Sequence, residues 1–166
     1  MGESKNITKG GEFIIREPNY ELIFTPEDFS EEQKMMRDSV IEFNEREVIA
    51  KKSRFEAKDF KLTEEVMKKA GEMGFLGVNV PEEYGGLGMG FVSTMIVCEY
   101  MSSGSGSIST AFGAHTGIGT MPVLFYGTEE QKRKYLPKLS SGEWFGSYCL
   151  TAVSYTHLTL PTILLV

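Results

Sequence analysis

The chain has 166 residues, 41% hydrophobic and 24% charged, with a formal net charge of −6. A chain of this length buries roughly 70% of its unfolded surface, enough for one domain with a real core, and the composition excludes a mainly disordered protein. The acidic balance argues against nucleic acid and anionic membrane surfaces, which call for basic stripes, and no run approaches the roughly 20 apolar residues of a membrane-spanning helix.

Residues 1–29 read as an N-terminal arm. The first eleven are polar, with no apolar core for a secretory signal and no Arg-rich, acid-poor helix for an organelle. That reading places the protein in the cytoplasm. Phe13, Ile14, Ile15, Leu22, Ile23 and Phe24 are apolar enough to pin the rest of the arm onto a surface. Cys98 and Cys149 lie far apart, without metal-ligand spacing, and read as buried free thiols in a reducing compartment.

Residues 30–140 read as helices. Ser30 and Gln33 form a capping box, and Met36, Val40, Phe43 and Val48 follow at helical spacing, predicting one long helix over 31–55. Thr63 is expected to cap a second helix, with Val66, Met67, Ala70 and Met73 on its apolar face and Gly74 ending it. Residues 74–90 are too rich in glycine for a helix. They lack the Gly-Lys-Ser/Thr of a phosphate loop and the Gly-x-Gly-x-x-Gly of a dinucleotide turn.

A third helix is expected over 91–102, with Val92, Met95, Ile96 and Tyr100 inward and Glu99 close by. After a Ser/Gly break, residues 108–126 are almost free of charge, and small residues dominate part of the run. A segment apolar all round is buried, and small residues let another element or a ligand come close. His115 lies here, as a satisfied core residue or as the wall of a pocket. Thr128 and Gln131 form a second capping box, and the helix it starts is expected to stop before Pro137. Lys132, Arg133, Lys134 and Lys138 read as solvated surface. Residues 141–151 turn and enter a strand, 144–150 having strand composition. Periodicity and composition offer no catalytic triad, no metal cluster and no pair of carboxylates in a cleft.

Several stretches, in order, resemble acyl-CoA dehydrogenases. Gly74-Phe-Leu-Gly-Val-Asn-Val-Pro-Glu-Glu-Tyr-Gly-Gly-Leu-Gly looks like the loop after that family's second long helix. Tyr126-Gly-Thr-Glu-Glu-Gln-Lys-Arg-Lys-Tyr-Leu-Pro-Lys-Leu-Ser-Ser-Gly-Glu is similar to its most recognisable helix and turn. Ser147-Tyr-Cys-Leu-Thr resembles the start of its flavin-binding strand, and Phe112-Gly-Ala-His-Thr-Gly-Ile-Gly is most similar to the very-long-chain branch.

The resemblance implies the all-α N-terminal helical domain of that fold, ending in the first strand of a β domain. It implies FAD-dependent oxidation of a fatty acyl-CoA to the trans-2-enoyl-CoA. It also implies an electron-transfer flavoprotein as partner and a homo-oligomeric parent. Tyr148, Cys149, Leu150 and Thr151 fall where the family contacts its flavin, and the segment with Gly113, His115 and Gly117 where it borders the acyl chain. No catalytic base is assigned: Glu82, Glu83 and Glu99 are not substitutes for the family's glutamate. An acyl-CoA oxidase shares these features, and a stand-alone helical binding module is the alternative of a different class.

The likeness breaks after Thr151. Glu-Pro is expected, and Ala152-Val-Ser-Tyr-Thr-His-Leu-Thr-Leu-Pro-Thr stands there; residues 152–166 contain no Lys, Arg, Asp or Glu. Residues 153–162 resemble one reading frame of a transposon-end sequencing adaptor. The expectation is that 152–166 is non-native sequence joined to a truncated gene, and that the chain as written binds FAD poorly and lacks dehydrogenase activity.

Overall fold

The computed structural model describes residues 7–147, apart from positions 9, 16 and 18. The described residues are helical, with no strand among them, as the all-α expectation requires. Residues 144–147 do not form the expected strand, because the amides of Trp144 and Gly146 point back to Lys138 and His115 instead of along a ladder. Residues 148–166 lie outside the described residues, and the expectations for Tyr148, Cys149, Leu150, Thr151 and the tail lie there with them. The chain divides after Met35 into two compact units.

In the first unit a single turn, α1 (Glu12–Ile15), leaves Ile14 and Ile15 more than four-fifths exposed. The expected pinning therefore does not involve these two residues; the side chain of Phe13 is outside the described residues. The arm closes on itself instead. Thr8 N–H donates to the Leu22 carbonyl at 2.8 Å, and the Phe24 and Phe29 rings pack 5.7 Å apart. The Ser30 box forms as expected: Gln33 N–H donates to Ser30 Oγ at 3.2 Å, and Ser30 N–H to Gln33 Oε1 at 3.0 Å. It starts α2 (Glu31–Phe43).

The second unit opens on the rest of α2. The predicted helix over 31–55 is interrupted there by a π turn, Asn44–Val48, and a 3₁₀ turn, Ile49–Lys51, before α3 (Lys52–Glu56). The wider turn faces Asn44 inward, where its amide donates to the Tyr100 carbonyl at 2.6 Å and to Ser103 Oγ at 2.7 Å. Buried amides need such partners, and these tie the turn to the end of the third predicted helix.

Helix α4 (Phe60–Glu72) is capped by Asp59, not Thr63. The Asp59 carboxylate accepts from Leu62 N–H at 3.1 Å and is held by Arg54 at 2.6 Å. Thr63 sits inside the first turn, its hydroxyl donating to the Asp59 carbonyl. Val66, Met67 and Ala70 are buried as expected; Met73 is half exposed, because it caps the end of the helix beside left-handed Gly74 (φ 79°). Residues 74–90 fold as two 3₁₀ turns, Phe75–Gly77 and Glu82–Tyr84. The amides of Leu87, Gly88 and Met89 donate to the carbonyls of Gly77, Val80 and Val78. Those amides are thus spent inside the loop, not arrayed for a phosphate.

Helix α5 (Gly90–Ser102) buries Ser93, Ile96, Val97 and Met101. Val92 and Met95, expected inward, are exposed. A helix with apolar residues on every side carries no stripe to read. Helix α6 (Gly106–Gly113) leads into a second π turn, Ala114–Thr120, and α7 (Met121–Tyr126). Helix α8 (Glu129–Ser140) starts on the Thr128 box, as expected, but runs through Pro137. Pro137 is exposed, and having no amide it leaves the Arg133 carbonyl without its helical donor. The main core joins Phe43, Phe55, Val66, Phe75, Met101 and Phe112, with Phe43 and Phe75 edge to face at 5.4 Å.

Candidate functional site

Four residues of α4 recur at i, i+3, i+4 and i+7: Phe60, Thr63, Glu64 and Met67. They make one wall of an apolar hollow of about 360 Å³. Ala111, Ala114 and His115 form the facing wall, and Phe145, Gly146 and Ser147 close one side. The volume lies at the lower end of the range of small-molecule pockets. Its charged lining residue, Glu64, is turned to Lys68 at 2.6 Å, and that ammonium holds the Glu64 carboxyl below the usual range.

The second π turn presents His115 to this hollow. Thr120 Oγ1 donates to the His115 carbonyl five residues back at 2.7 Å, while Thr116 Oγ1 donates to the Phe112 carbonyl at 2.8 Å. The ring is 1% exposed and both nitrogens are engaged: Nε2 with the Leu139 carbonyl at 3.0 Å, Nδ1 with Gly146 N–H at 3.0 Å. Burial pushes its pKa below the ordinary 6.5, against a smaller upward pull from the Leu139 carbonyl. It is a satisfied core residue that also borders the hollow.

Gly113 and Gly117 stand elsewhere. Both are exposed, neither lines the hollow, and a Cβ at either would meet open space. The basic cluster of α8 is occupied locally: Lys132 pairs with Glu129, Arg133 sits 5.9 Å over the Tyr84 ring, and Lys138 pairs with Glu143. Glu99 is exposed, and Cys98 is a free, half-buried thiol whose pKa burial raises.

The residues that sequence reading missed are the α4 wall and Phe145. The signal for the α4 wall was present in the i, i+3, i+4, i+7 spacing of Phe60, Thr63, Glu64 and Met67. Among the described residues the buried side-chain atoms without a partner are Asn44 Oδ1, Ser105 Oγ and Ser140 Oγ, and none belongs to a residue lining this hollow. The hollow is thus lined mainly by apolar side chains, and the buried polar atoms without a partner lie away from it.

Residues 30–143 match a family model described as acyl-CoA dehydrogenase, N-terminal domain. A probable acyl-CoA dehydrogenase of Bacillus subtilis is 44% identical over 149 residues, which are 90% of this chain and 25% of that protein. The chain thus spans about a quarter of that relative. An acyl-CoA dehydrogenase from Bacillus anthracis, solved in complex with FAD, superposes with a TM-score of 0.82 at 42% identity, over 88% of this chain and 25% of that one. A chain in a structure described as the electron transferring flavoprotein of Acidaminococcus fermentans gives 0.68 at 32% identity, over 78% and 34%. None of these three names a chain length, so the very-long-chain likeness rests on residues 112–119 alone.

Proposed function

Because this chain belongs to the acyl-CoA dehydrogenase family, we propose that it supplies the helical N-terminal part of a flavoenzyme that oxidises a fatty acyl-CoA to its trans-2-enoyl-CoA. The observation that carries the proposal is the family match over residues 30–143, which contains Phe60, Thr63, Glu64, Met67, Ala111, Ala114 and His115 of the apolar hollow. FAD, when bound, takes the β-hydride of the thioester. The part played by this chain's described residues is to bind and to exclude water. Phe60, Met67, Ala111, Ala114 and Phe145 offer an apolar wall beside which an acyl chain can lie, and His115 beside them has both ring nitrogens already engaged.

Tyr148, Cys149, Leu150 and Thr151 remain our proposed flavin contacts by their likeness to the family's strand. An electron-transfer flavoprotein as acceptor, a homo-oligomeric parent and a cytoplasmic location complete the reading; the free thiol of Cys98 fits a reducing compartment. We keep residues 152–166 as adaptor-derived sequence. A read across codon 151 of unfragmented source DNA tests this: Glu-Pro after Thr151 is expected, and Ala-Val-Ser there would overturn it.

The functional test has two arms. The 166-residue chain, reconstituted with FAD, is expected to show weak flavin absorbance and no turnover of an acyl-CoA with a dye acceptor. A reading frame continued through the family's full length is expected to show both. Robust turnover by the short chain, or none by the long one, overturns the proposal.

A further inference from the structure

The segment after α8, residues 143–147, is fastened to the helices at several points. Trp144 N–H donates to the Lys138 carbonyl at 3.0 Å. The Lys138 ammonium lies 4.4 Å over the Trp144 ring and pairs with Glu143 at 2.9 Å. Phe145 meets the His115 ring edge to face at 5.8 Å. Gly146 is gripped twice. Its N–H donates to His115 Nδ1, and its backbone lies against that of Gly119. A Cβ on Gly119 would come within 2.5 Å of the Gly146 carbonyl carbon, and one on Gly146 within 2.9 Å of Gly119 Cα. Only two glycines allow that approach.

Hydrogen-bond chemistry then fixes the state of the ring. A backbone amide can only donate, so His115 Nδ1 must present its lone pair to Gly146. A carbonyl can only accept, so Nε2 must carry the proton given to Leu139. The neutral Nε2–H tautomer alone satisfies both partners. With both nitrogens committed and the ring sealed from solvent, no proton or lone pair is left for a substrate. The geometry excludes a general-base role and leaves a mechanical one.

We propose that His115 is a positioning residue: by bridging the Leu139 carbonyl to the Gly146 amide in one tautomer, it sets the direction in which the backbone leaves the helices. The consequence for cofactor binding rests on the proposed function, in which the next residues of the chain are the flavin contacts. The bridge itself does not depend on it.

The test uses the 166-residue chain without flavin. Three variants separate the two bonds. His115→Asn keeps an acceptor near the Nδ1 position, His115→Gln keeps a donor near the Nε2 position, and His115→Phe keeps neither. The readouts are amide hydrogen exchange at Gly146, taken relative to the core amide of Val66, and the emission of Trp144, the chain's single tryptophan. In H115Q and H115F the relative exchange of Gly146 is expected to rise roughly two- to tenfold, the loss of one hydrogen bond, and Trp144 emission to shift. H115N is expected to stay close to the parent on both. Equal loss in all three, no change in any, or rescue by Gln but not Asn overturns the proposal.

Should the variants fail to fold, nitrogen-15 spectra of the parent imidazole decide. A proton on Nε2 with a coupling from Gly146 N–H to Nδ1 supports the bridge, and a proton on Nδ1 overturns it. Since no flavin enters the assay, its failure leaves the proposed function standing, and failure of that function leaves this result intact.

Discussion

Glu47 is the most perturbed acid among the described residues. It lies in the first π turn with a side chain 11% exposed, between Lys51 at 2.6 Å and Lys69 at 2.7 Å. The two ammonium groups, Lys51 first, hold its pKa at about 2, below the ordinary 4.5. The folded state therefore binds this proton less readily than the unfolded chain. The resulting stability is fully present above pH 4.5 and is lost as the pH falls from there toward 2, a contribution of about 3 kcal/mol at most. The expected result is that Glu47→Gln lowers the urea midpoint at pH 6 and flattens its fall between pH 4.5 and 2. Equal acid sensitivity in parent and variant would refute this. The sequence did not single out Glu47, because a Glu flanked by Arg46 and, four residues on, by Lys51 reads as an ordinary surface pair. Only Lys69, twenty-two residues away, completes the site. His115 differs: its burial was legible from the uncharged run around it, whereas its two partners, both backbone atoms, were not.

At the scale of elements, capping chemistry was the most legible feature. Both Ser/Thr-x-x-Gln boxes form with both bonds, since each is decided within four residues. Errors arose where tertiary contacts overrode a local rule. Thr63 lost the cap to Asp59, whose carboxylate Arg54 orients. Pro137 stays inside α8, on an exposed position. The first π turn left a trace in the five-residue step from Phe43 to Val48, which a regular helix does not make. The closeness of α4 to the turn after α8 gives a test. A Cβ on Gly71 would lie 2.2 Å from the Ser141 carbonyl oxygen. Helix propensity favours Ala over Gly by up to about 1 kcal/mol, but a backbone clash costs roughly 1–3 kcal/mol. Gly71→Ala is expected to lower stability on a urea melt; a gain would show that the two elements slide apart freely.

At the scale of the whole molecule, the helices leave apolar side chains in water. Phe91, Val92 and Met95 are exposed on α5, as are Ile118, Phe125 and Tyr126. Patches of this kind mark surfaces that another partner covers. The 166-residue chain is expected to run above monomer size on a sizing column at tens of micromolar and to melt with weak cooperativity. A sharp monomeric peak with a cooperative melt would count against this. The fold class was legible because helical spacing and caps agree along most of the chain. Which apolar residues would stay outside was not, for α5 is apolar on every side and its orientation is chosen by packing, not by pattern.

The π turn at Asn44–Val48 also alters how this chain tolerates a change in length. In a regular helix, removing one residue rotates everything beyond it by about 100°, carrying buried side chains to the surface. A π turn is a helix with one residue to spare, so a deletion inside it tightens the coil toward regular α geometry and can leave the flanking faces in phase. Residues 44–48 are therefore a slack point in the helix that begins at Glu31, while the interior of α4 has none. The cost of using that slack is specific: it is the inward aim of Asn44 and Glu47, the two polar groups that the extra residue turns toward the core.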